Sequence, residues 1–161
     1  MKITAFLVTF SFLICFPAFV FAKDELVMFK EVMYWVSNGK GSGLACNQLI
    51  FIKVGQDVPD MRKEKCGYTE GKFSVTLSGP PGTTVTFFGK YGFKKGNGFL
   101  TIKKKDDQKL WLLDLTAFPP GQWFTSEAND NSGSFEAFYN ASPIFEQSVS
   151  SIKWGNDSPE G

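Results

Sequence analysis

The chain has 161 residues, of which 43% are apolar, 16% aromatic and 20% charged. That balance excludes a disordered or fibrous polypeptide, and the length suits one domain with its own core. Histidine is absent, which removes imidazole bases, Ser-His-Asp and Cys-His catalysis, and zinc sites that need a histidine ligand.

Met1–Ala22 places Lys2 before an almost unbroken apolar run, with Val20 and Ala22 at −3 and −1 of a small-residue cleavage site. This is the three-part pattern of a secretory signal peptide. A membrane-spanning reading is weakened by Pro17 near the end of the run and by the polar sequence that follows at once. The expected organisation is a signal over 1–22, a single domain over 23–155 and a frayed tail over 156–161. Loss of Lys2 takes the formal +1 to zero. A neutral domain has no general attraction for nucleic acid or an anionic membrane, and no later segment is long and apolar enough for stable membrane insertion. The expected location is secreted or periplasmic.

Two cysteines follow the leader, Cys46 and Cys66. In an exported domain they allow one intramolecular disulfide, and closing a loop of about 20 residues contributes ~3 kcal/mol in the chain-entropy model. Their spacing is unlike the C-x-x-C of redox pairs.

Along the mature chain, Leu26–Val36 carries apolar residues at helical spacing, yet Val32, Tyr34, Trp35 and Val36 are strand formers, so helix and strand are equally supported. Leu49–Val54 is a continuous apolar run and reads as a buried strand. Gly55–Gly71 is polar and reads as a long connection. Phe73, Val75 and Leu77 alternate with polar neighbours in a half-buried strand, and Ser78–Gly82 is a strong turn. Thr83–Phe88 resumes as a strand. Gly89–Gly98 is a loop rich in glycine, aromatic residues and lysine. Phe99–Lys103 and Leu110–Leu115 read as strands joined by a charged hairpin turn at Asp106-Asp107. Trp123-Phe124, Phe135–Tyr139 and Ser148–Trp154 supply the last strands, around a polar loop at Glu127–Ser134. About eight short strands without a long helix define an all-β domain, an antiparallel sandwich or small barrel.

Exposed rings on a β scaffold stack on sugar faces, because pyranose C–H groups meet the π surface while polar neighbours take the hydroxyls. Most rings here are expected in the core. Tyr91 and Phe93 differ, because they sit in a loop flanked by Lys90 and Lys94, and loops on rigid scaffolds commonly carry binding. With Trp123 these form the candidate binding set. The lysines at 90, 94, 95, 103, 104, 105 and 109 read chiefly as a solvated edge, with an acidic ligand as the alternative.

Asp130, Asn131 and Ser134 resemble the calcium motif of the βγ-crystallins, in which two Asx residues are followed two positions later by Ser or Thr and then by Ser; here the last place is Phe135. The resemblance covers a handful of residues and implies calcium as the only cofactor to consider, beside the plain reading of a polar loop. Asp114, within the apolar LWLLDL stretch, is expected to make a structural hydrogen bond to a turn. The other carboxylates (Asp57, Asp60, Glu64, Glu70, Glu127, Glu136 and Glu146) offer no preferred glycosidase pair. Nucleophile and phosphate-loop motifs are missing from the sequence. A non-enzymatic binding protein for a glycan or surface molecule is therefore the first expectation. A secreted inhibitor or immunity-type factor, acting on an extracellular protein through Gly89–Gly98 or Phe118–Trp123, is the alternative. The oligomeric state is not readable.

Overall fold

The computed structural model describes residues 25–31, 49–64 and 72–155. Met1–Ala22, the tail from 156, and both Cys46 and Cys66 lie outside the described residues, so the signal and the disulfide remain expectations from sequence.

Among the described residues, nine strands form two antiparallel sheets with a short helix beside them: β1 (Glu25–Glu31), β2 (Leu49–Lys53), β3 (Lys72–Leu77), β4 (Thr84–Phe88), β5 (Phe99–Lys104), β6 (Leu110–Leu112), β7 (Trp123–Ser126), β8 (Phe135–Asn140), α1 (Pro143–Gln147) and β9 (Ser151–Trp154). One sheet runs β2-β1-β3-β6 and the other β7-β8-β5-β4-β9. Both stay open, so the architecture is a sandwich and the barrel alternative falls.

Alternation decides what lies between the sheets. Leu26, Met28, Ile50, Ile52, Val75 and Leu77 from one sheet meet Val85, Phe87, Leu100, Ile102, Ala137 and Ile152 from the other, all buried. Burying a large apolar side chain contributes on the order of 1.5–3 kcal/mol, and this layer is the main stabilising element.

The described part of Leu26–Val36 is strand. Its helical spacing is accidental, because β1 is the inner partner of both β2 and β3 and needs side chains on each face. Leu49–Val54 is not a buried strand. Ile50 and Ile52 face the core, whereas Leu49, Phe51 and Val54 are exposed. The expected hairpin across Asp106-Asp107 is also corrected. β5 pairs with β4 and β8, while β6 pairs with β3, so this turn carries the chain from one sheet to the other. Regular strand stops at Leu112, and Asp114 Oδ1 accepts from the backbone N–H of Thr116 at 2.8 Å and from its hydroxyl at 2.6 Å. That local turn is the structural role expected of it.

The crossing corner is braced internally. Asp106 Oδ2 accepts from both the N–H and the hydroxyl of Ser134 at 2.6 Å, and its Oδ1 accepts from the Gln108 N–H at 3.0 Å. These bonds, first among them the Ser134 hydroxyl, hold the carboxyl below its ordinary range. Lys104 is buried beside them and donates to the Gln108 carbonyl. Burial pushes its amine below the usual lysine value, against the pull of Asp106 and Asp107.

Helix α1 was not anticipated. Ser142 caps it by accepting from the Ile144 N–H, Pro143 opens its first turn, and Phe145 packs into the core against Tyr139.

Candidate functional site

The Gly89–Gly98 loop joins β4 to β5 and folds into two short 3-10 turns, Tyr91–Phe93 and Lys95–Asn97. It is held at several points. The Gly89 N–H donates to the Gly98 carbonyl at 3.0 Å, and the Gly92 N–H to the Pro59 carbonyl at 2.9 Å. The Ser151 hydroxyl donates to the Lys90 carbonyl at 2.7 Å and accepts from the Phe93 N–H at 3.0 Å. Phe93 sits at φ 62°, a left-handed conformation unusual for a bulky residue, and the Ser151 bond fixes it there. The loop is thus a built surface feature.

Its exposed ring is Tyr91, 41% accessible. The Arg62 guanidinium lies over that ring at 4.2 Å from the centroid. Arg62 is oriented in turn by Asp60, which accepts from its Nε at 2.8 Å and from its Nη2 at 2.7 Å. The same hydrogen bonds lower the Asp60 carboxyl from an ordinary 3.8 to about 2. Lys90 and Lys94 are exposed beside the ring, and neither joins an ion pair among the described residues.

Phe93 folds the other way, onto the outward face of the five-stranded sheet. It meets Phe88 at 6.1 Å between centroids; Phe88 meets Phe99 at 6.3 Å, Phe99 meets Phe138 at 5.9 Å, and Phe138 meets Trp123 at 5.5 Å. This ladder crosses β4, β5, β8 and β7, with Lys153 above Phe93 and Lys95 above Phe99. The sequence-predicted set is therefore split. Lys90, Tyr91 and Lys94 share one rim, Phe93 is half-buried as the first rung, and Trp123, half-exposed, stands at the far edge strand. Trp123 belongs to the same ladder but is not beside Tyr91.

The calcium candidates are also separated in role. Asp130 and Asn131 are exposed, whereas Ser134 is buried and gives its hydroxyl to Asp106. The turn closes instead on Asn129, whose side-chain oxygen accepts from the N–H groups of Asn131 and Ser132. Several carboxylates have structural partners: Asp57 accepts from the Trp154 N–H, and Glu136 lies near Lys103 and Lys105.

One surface was missed from the sequence. The outward face of the four-stranded sheet exposes Leu49, Phe51, Trp111 and Leu113 by 53, 60, 54 and 81%. With Val27 and Phe29 they wall a groove of about 470 Å³ over Ser74 and Thr76. Its signal was that Leu49–Val54 and Leu26–Phe29 are apolar at both parities, although a two-layer fold can bury only one.

No protein-family model matches the chain, and comparison with curated proteins and with solved structures returns no match. Among the described residues no helix is long and apolar enough to cross a membrane.

Proposed function

We propose that the protein is a secreted or periplasmic binding protein that recognises a glycan through the Gly89–Gly98 rim, without catalysing a reaction. The observation that carries this reading is the half-exposed Tyr91 ring, clamped between a backbone-anchored loop and the Asp60-oriented Arg62. A ring fixed before the ligand arrives loses little conformational entropy on binding. Its free face suits the C–H face of a pyranose. Lys90 and Lys94 favour carboxylated or sulfated sugars over neutral ones.

A glycan array followed by calorimetry tests this. Saturable binding of an acidic oligosaccharide, weakened at least tenfold in Tyr91→Ala with unchanged thermal unfolding, supports the reading. The absence of any glycan ligand, or a ligand indifferent to Tyr91→Ala, overturns it. Stoichiometric capture of one extracellular protein through the same rim, with no sugar bound, would assign the loop to an inhibitor.

A further inference from the structure

The groove on the four-stranded sheet is independent of the loop. Strand register arranges its outward residues in rows. One row pairs Glu25 with Lys53, and Lys109 immediately precedes β6 at the same end of the sheet. The next row runs Phe51, Val27, Thr76, Trp111, and the third contains Leu49, Phe29 and Ser74, with Leu113 one residue beyond β6.

The first row carries Lys53, Glu25 and Lys109, and beyond the third row the register pairs Glu31 with Lys72. The second and third rows contain no ionisable group, and their only side-chain polar atoms beyond the Trp111 indole N–H are the hydroxyls of Ser74 and Thr76. These two small residues on β3 form a floor, while Val27 and Phe29 rise on one side and Trp111 and Leu113 on the other. A trough results, apolar along its walls and bounded by a charged row at each end, with a net positive charge at the Lys109 end and none at the other. Lys53 and Lys109 are exposed in the first row and join no ion pair among the described residues. With Glu25 between them, that row carries one net positive charge. Alternate residues on a strand are about 6.7 Å apart, so the two apolar rows match several methylenes of an extended chain. A contiguous apolar face of this kind marks an interaction surface.

We infer that this trough binds a single-chain anionic amphiphile of the fatty-acid class, its head at Lys109 and its alkyl chain lying over Ser74 and Thr76 between Val27 and Trp111. The charge pattern selects this occupant. An apolar partner without a head group leaves Lys109 unused, a cationic amphiphile meets a row of the wrong net sign, and a long polar chain finds too few hydrogen-bonding groups.

The test is calorimetry of the chain with sodium dodecanoate below its critical micelle concentration, beside dodecyltrimethylammonium at the same concentration. The expected result is saturable one-to-one binding of dodecanoate, at least tenfold tighter than of the cationic amphiphile. Leu113→Asp should weaken it at least tenfold and Lys109→Glu about fivefold. Leu113 is the most exposed of the wall residues, so its replacement leaves the core intact, and unchanged thermal unfolding verifies this. Tyr91→Ala should leave dodecanoate binding unchanged, which separates this site from the glycan rim. Equal affinity for the cationic amphiphile overturns the inference. So does binding only to phosphatidylglycerol vesicles, which would make the face a bilayer contact. A dimer by analytical ultracentrifugation that Leu113→Asp dissociates, with no dodecanoate bound, would give the face to a second copy and also overturn it.

Discussion

Phe88 and Phe51 both point away from the sandwich core, yet one is 0% and the other 60% exposed. The difference lies in what the neighbouring chain does. After β4 the Gly89–Gly98 loop turns back over its own sheet, so Phe88 is covered by Phe93 and flanked by the tilted ring of Phe99. Among the described residues no comparable loop returns over Phe51. Among the described residues, one outward face has acquired a third layer and the other presents an apolar trough. Surface location and residue type do not settle burial in a two-layer fold; the path of the connections does.

Truncating matched residues breaks this comparison most directly. Phe88→Ala should cost about 3–5 kcal/mol, the range for emptying a buried phenylalanine site. It is measured as a lower urea midpoint at constant m. Gly98→Ala comes next, at about 1–3 kcal/mol. Gly98 adopts φ +80°, and a Cβ there would stand 2.7 Å from Ser142 Cβ and 2.8 Å from the Asn140 carbonyl oxygen. The loop would lift, and the Phe93 N–H, which donates to the Ser151 hydroxyl, should exchange faster with solvent by hydrogen-exchange NMR. Phe51→Ala should change stability by under ~1 kcal/mol, since little buried contact is lost. A cost equal to that of Phe88→Ala would show the two faces to be equivalent after all.

The smallest effect concerns Asp60. Its carboxyl is lowered to about 2 by hydrogen bonding to Arg62. The stabilising contribution of a depressed carboxylate is fully present above its ordinary value of 3.8 and is lost as pH falls through about 2. Carboxyl-carbon NMR should therefore give a midpoint near 2, returning towards 3.8 in Arg62→Ala. The Tyr91 ring shifts should move in the same acid range, because Arg62 then loses its anchor.

Much of this was legible beforehand. Phe73, Val75 and Leu77 alternate with polar residues, so β3 could be assigned to one inner face directly. Glycines at 89 and 98 and the lysines between them marked the rim that exposes Tyr91. Leu49–Val54 misled because apolar residues at every position but Lys53 hide the parity that points inward. The hairpin at Asp106-Asp107 misled because turn chemistry fixes a reversal but not the sheet to which the next strand goes. That choice rests on Asp106 meeting Ser134, 28 positions away. Trp123 joined the loop residues only through rings on three intervening strands, a relation that needs the strand order.

Residues 56–61, which follow β2 in the chain and run beside β9, have a further consequence. Val58 exchanges backbone hydrogen bonds with Ile152, and the Met61 N–H donates to the Ser150 carbonyl, so the free side of β9 is already occupied. Among the described residues, the five-stranded sheet therefore has only its β7 side available for another strand. A sheet open on one side can join a copy of itself once, about a twofold axis, and then has no edge left to extend. Among the described residues, strand addition at this sheet therefore ends in a pair and does not propagate into a fibre while residues 56–61 stay in place.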